Sequence, residues 1–116
     1  MTDETFSERI LKYGAFLYGG PDGNNGANAT IWLRFEGSPA FVWLRFYPVG
    51  YSLPPNYEAE SSGGDPIYYV SYRSGEYSKV LDLLRNESPV YFYWSDETEM
   101  AYVRSGGEDV GEGEEG

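Results

Sequence analysis

The chain contains neither cysteine nor histidine. Without cysteine there is no disulfide, no thiolate metal ligand and no thiol nucleophile, and the redox compartment leaves no mark on the sequence. Without histidine the commonest general base and the commonest metal ligand are gone, along with the only side chain that titrates near neutrality when unperturbed. Cations are scarce as well: eight Lys and Arg stand against nineteen Asp and Glu, a formal net charge of −11. No run approaches the ~18 apolar residues of a membrane-spanning helix, and Met1 to Thr5 is polar and acidic rather than a basic lead into an apolar segment. These absences set the expectation of a cytoplasmic protein with no metal, no cofactor and no membrane contact. They also weigh against an enzyme.

A length of 116 residues suits one domain. The charge is unevenly spread along it. Glu108, Asp109, Glu112, Glu114 and Glu115 crowd the last nine residues, whereas Met1 to Gly107 holds 14 acidic and 8 basic residues, a net of −6. This predicts a globular domain over residues 1–105 and a disordered acidic tail over 106–116, where no core-forming pattern occurs. A negative field repels phosphates and draws cations. The partner expected on that ground is a protein, cationic where charge matters, and nucleic acid is disfavoured.

Aromatics are abundant, at 18% of the chain with twelve tyrosines, and together with the glycines they favour strands and tight turns. The segments Ile31-Trp32-Leu33-Arg34-Phe35 and Val42-Trp43-Leu44-Arg45-Phe46 repeat one word eleven residues apart, around the turn residues Glu36-Gly37-Ser38-Pro39. A hairpin turning at Gly37-Ser38 pairs positions whose numbers sum to 75, placing Leu33 opposite Val42 and Trp32 opposite Trp43. Aliphatic side chains then line one face, and rings with guanidiniums line the other.

Elsewhere, Thr5-Phe6-Ser7-Glu8 has the form of a capping box, and Phe6, Ile10 and Tyr13 fall on one side of a helix over residues 6–13. Residues 19–28, with four glycines and three asparagines, read as a loop, and 48–65 as a long connection of the kind that often binds. A third strand follows over 67–73. Ser74 then caps a helix over 76–86 with the apolar stripe Tyr77, Val80, Leu81, Leu84, and a last hairpin joins 90–94 to 100–104. The fold class is therefore α+β and strand-dominated, in the order β-β-β-α-β-β after a short N-terminal helix. That element order is similar to the order in an OB-fold, and the resemblance implies either a partly closed OB-like barrel or a small antiparallel sheet.

No spacing demands catalysis. Asp65, Asp82, Asp96 and Glu99 could serve as acids or bases only if the fold gathered them. Asp22-Gly23-Asn24-Asn25-Gly26 has oxygen donors at alternate positions, but the glutamate that would complete a calcium loop is replaced by Leu33. Tyr68, Tyr69, Tyr72, Tyr91, Tyr93 and Tyr102 could form a stacking platform for bases, against which the acidic composition argues. The outer hairpin face is the strongest candidate: Trp32, Arg34, Phe41, Trp43, Arg45 and Tyr47 share it, and Trp, Tyr and Arg dominate interface hot spots. The expected function is a small acidic interaction domain that binds a protein through this face. The alternatives are an acidic mimic of nucleic acid that blocks a DNA- or RNA-binding protein, and a barrel for a carbohydrate or nucleotide.

Overall fold

The computed structural model describes residues 5–20 and 22–106. Apart from Gly106, the acidic tail expected over 106–116 lies outside the described residues. Seven strands form: β1 (Thr5–Leu17), β2 (Ala29–Phe35), β3 (Phe41–Tyr47), β4 (Tyr57–Glu60), β5 (Pro66–Arg73), β6 (Val90–Ser95) and β7 (Ala101–Ser105). One helix, α1 (Tyr77–Asn86), stands before the last hairpin and is reached through a 3-10 turn at Ser74–Glu76. The strands hydrogen-bond in the order β4-β5-β3-β2-β1-β6-β7, and the mixed sheet curls into a half-barrel.

The core follows from alternation. Ile31, Leu33, Val42 and Leu44 are completely buried and lie in cross-strand pairs, Ile31 with Leu44 and Leu33 with Val42, while Trp32 pairs with Trp43 in the register that the numbers predict. Each such side chain contributes about 1.5–3 kcal/mol by leaving water. On this inner face the stripe of α1 closes the core: Val80 is buried, and Tyr77, Leu81 and Leu84 pack against it. Curling brings strands that are not neighbours into contact, so that Tyr68 of β5 meets Trp94 of β6 with ring centroids 5.0 Å apart. Asn56 joins the two ends of the curl. Its amide nitrogen donates to the Glu99 carbonyl, and its oxygen accepts the Ser71 backbone N–H, both at 2.9 Å.

Four expectations are corrected. The N-terminal helix over 6–13 is instead the first half of β1, which pairs with β6 through residues 5–9 and with β2 through residues 10–17. A bulge at Leu11 is the reason: the pairs Ile10–Phe35 and Lys12–Arg34 bracket one unpaired residue, so Ile10 and Tyr13 point inward on either side of it. Phe6, Ile10 and Tyr13 thus share a face in a bulged strand as they would in a helix. The sheet is not wholly antiparallel, because β3 and β5 run parallel, Leu44 beside Val70. That geometry comes from β4, a strand inside the supposed 48–65 connection that reverses the chain at the sheet edge. Ser74 does not cap α1; the residue at that position is Glu76, with no side-chain bond to the helix.

Candidate functional site

Every strand residue that pairs beside the inward rows has neighbours pointing the other way. In the five strands β1 to β5 those outward positions carry Lys12, Arg34, Arg45 and Arg73, and no Asp or Glu. Arg9 and Arg104 occupy outward positions where β1, β6 and β7 meet. Six of the eight cations of an acidic chain therefore project from one side of its sheet. Strand carboxylates Glu8, Glu58 and Glu60 fall on the inward parity, and the other described acids belong to loops, the 3-10 turn and α1.

Rings fill the space between the cations. Gly14, Trp32, Trp43, Tyr69 and Tyr57 form one row across five strands, about 19 Å wide at the usual spacing. Phe41 stacks on Trp32 with centroids 6.0 Å apart and tilts against Trp43 at 5.4 Å. Phe16 meets Trp43 edge-on at 6.3 Å, and Tyr57 stacks on Tyr69 at 4.6 Å. The row starts at a glycine for a reason. A Cβ on Gly14 would stand 2.3 Å from Trp32 Nε1, so the indole lies flat over the bare backbone of β1.

The guanidiniums of Arg34 and Arg45 rest on rings, and that of Arg73 donates to the Pro48 and Tyr51 carbonyls. Arg34 lies 5.3 Å from the Phe41 centroid and Arg45 lies 4.4 Å from that of Tyr69. An ion pair joins Lys79 to Glu76, far along the chain on the helical side. A cation over a ring is worth about 0.5–2 kcal/mol, which orients the side chain and leaves its N–H donors available to a ligand. Lys12, Arg34, Trp32 and Phe41 line a shallow cleft of about 470 Å³. Both cations in that cleft are exposed.

The structure thus gathers Trp32, Arg34, Phe41, Trp43 and Arg45 on one face, as their parity predicts. Tyr47 shares the parity but not the surface. It is 2% exposed, because Tyr51 stacks over it at 5.2 Å and is itself held by a bond from its hydroxyl to the Asn25 carbonyl. Residues that the sequence reading missed join the face from other strands: Lys12, Gly14 and Phe16 from β1, Tyr57 and Tyr69 from β4 and β5. The alternation Lys12-x-Gly14-x-Phe16 was the signal for the first three.

The remaining candidates do not assemble into chemistry. The tyrosines divide by parity: Tyr69, Tyr91, Tyr93 and Tyr102 point outward, whereas Tyr68 and Tyr72 turn toward the core. Asp82 is bonded to Asn86 on α1, and Asp96 accepts the Trp94 indole N–H at 2.8 Å. Among the described residues no three His, Cys, Asp or Glu side chains come together, and no helix is long and apolar enough to cross a membrane. A second cleft, about 370 Å³, lies between the β1 bulge and the end of α1, and Arg9, Glu36 and Glu87 are among the residues that line it. No family model matches the chain, and neither the curated proteins nor the solved structures contain a match.

Proposed function

We propose that this chain is a binding domain that receives an anionic macromolecule on the outer face of its sheet. One observation carries the reading: in a chain with nineteen carboxylates, the outward positions of five strands hold cations and rings and no acid. Net charge alone favours a cationic partner, but a partner seated here meets Lys12, Arg34 and Arg45 first. At physiological salt, charges more than about 8 Å away are largely screened, so the local sign governs contact. Guanidiniums already stacked on rings lose less freedom when they take up an anion. The reading of the whole chain as a nucleic-acid mimic needs carboxylates gathered on one surface, and the described ones are distributed over loops, helix and rim.

The test is retention of the full chain on immobilised heparin, a polyanion without bases, at low salt. Retention is expected despite a sequence pI near 4.2, and the double substitution Arg34→Ser with Arg45→Ser should abolish it while circular dichroism stays unchanged. A wild-type chain that flows through, or a double variant that elutes with it, rejects the reading.

A further inference from the structure

We infer that the occupant of the outer face is a single-stranded nucleic acid, its bases laid on the ring row and its phosphates on Lys12, Arg34 and Arg45. This rests on the anionic-partner reading and goes one step further, from charge to chemistry. Three kinds of occupant satisfy a cationic aromatic sheet face: a second copy of the chain, an acidic peptide, or a nucleic acid strand. A second copy brings the same cations and meets like charge across the interface. An acidic peptide uses the guanidiniums and the Phe41 and Tyr69 rings that seat them, but gives Trp32 and Trp43 no role. A single strand uses both, because every base offers a π-face and every linkage an anion.

The arrangement matches that demand position by position. Trp32 and Trp43 lie in one row on adjacent strands and are partly exposed, and Tyr69 extends the row with its ring held between Arg45 and Tyr57. Arg34 and Lys12 flank Trp32 in the cleft, with Arg34 opposite Lys12 in the pairing of β1 with β2. Arg45 stands on the other side of the row, over Tyr69. Cations thus border the rings from both sides, as a backbone crossing a stacking platform requires. A duplex hides its base faces, and a ring row on a broad sheet cannot reach them. Composition argued against this ligand through the summed charge; the distribution of that charge removes the objection locally.

The test is titration of the full chain with fluorescein-labelled oligothymidylate of about eight nucleotides, followed by anisotropy and by intrinsic tryptophan fluorescence. Binding with tryptophan quenching is expected, with a slope of log K against log salt near −2, the value for about three phosphates on a single strand. Trp43→Ala should weaken binding about tenfold or more with the slope unchanged. Arg34→Gln, an exposed change that spares the core, should reduce the slope by about 0.7. Thermal melts certify that each variant is folded, and Arg34→Gln keeps the proposal testable if Trp43→Ala is not. Retention on heparin without oligonucleotide binding, or stronger binding to polyglutamate, overturns the nucleic-acid assignment and leaves the anionic-partner reading standing. Duplex bound as tightly as single strand shows that the rings are unused and also overturns it. Failure on heparin and oligonucleotide alike removes both.

Discussion

Gly14 and Tyr72 show how much a single position settles here. Gly14 is the floor on which Trp32 rests, with no room for a Cβ beneath the indole. Gly14→Ala must lift the ring, at a cost of about 1–3 kcal/mol for an overpacked contact. Chemical denaturation should show that loss, and the tryptophan emission should shift red as the indole meets water; an unchanged midpoint and spectrum would refute the contact. Tyr72 stacks on Phe46 at 5.4 Å, and burial, then the nearby Glu76 carboxylate, hold its phenol above the ordinary tyrosine range. A raised folded-state pKa means that the fold binds this proton more tightly than the unfolded chain does. The associated stability is complete below about pH 10, where the unfolded phenol begins to ionise, and drains away as pH climbs through the folded value. Tyr72→Phe should therefore gain on the wild type in urea midpoints measured from pH 8 upward into that range, and parallel pH profiles would contradict the assignment.

At the level of elements, the informative contrast is between the β2–β3 hairpin and β1. In the hairpin, aliphatic and aromatic residues alternate on either side of one turn, so register and face assignment could be read directly, and Leu33, Val42 and Leu44 are buried as alternation requires. Leu44→Ala should cost about 2–5 kcal/mol, measurable by denaturant titration; a value under 1 would mean that the site collapses around the gap. In β1, the extra residue Leu11 shifts the inward set from even to odd positions and so imitates helical spacing. Deleting Leu11 should leave Lys12 outward and Tyr13 inward, because Ile10 and Lys12 then face Phe35 and Arg34 in unbroken alternation. A retained cooperative thermal transition is the expected outcome, and its loss would exclude the bulge. β4 was illegible for a different reason: Tyr57-Glu58-Ala59-Glu60 alternates over only four residues with its apolar pair on the outward parity, and pairing with β5 makes them a strand. The candidate face split along the same line. Its hairpin half was visible in the repeated Trp-Leu-Arg-Phe word, whereas Lys12, Phe16, Tyr57 and Tyr69 enter it only through pairings made by distant parts of the chain.

For the molecule as a whole, the relevant quantity is where charge sits, since a total of −11 conceals a face of the opposite sign. Residues 107–116 contribute five of the nineteen carboxylates, and removing them weakens long-range repulsion of an anion. The truncated chain should associate with a polyanion several-fold faster at low salt, the difference vanishing at high ionic strength; stopped-flow mixing at two salt concentrations decides, and equal rates at low salt would deny the tail any part in steering. The position of β1 has one more consequence, for how the molecule comes into being. Its second half finds β2 within the next hairpin, but its first half pairs with residues 91–95, from 82 to 90 positions further along. During synthesis the ribosome releases the leading segment long before its mate exists, and Phe6 waits with an unclaimed backbone edge beside it. Assembly of this sheet is thus a matter of closing its beginning onto its end, the slow, non-local kind of search, and a nascent chain is most exposed to pairing with a stranger at the very strand that later holds the two halves together.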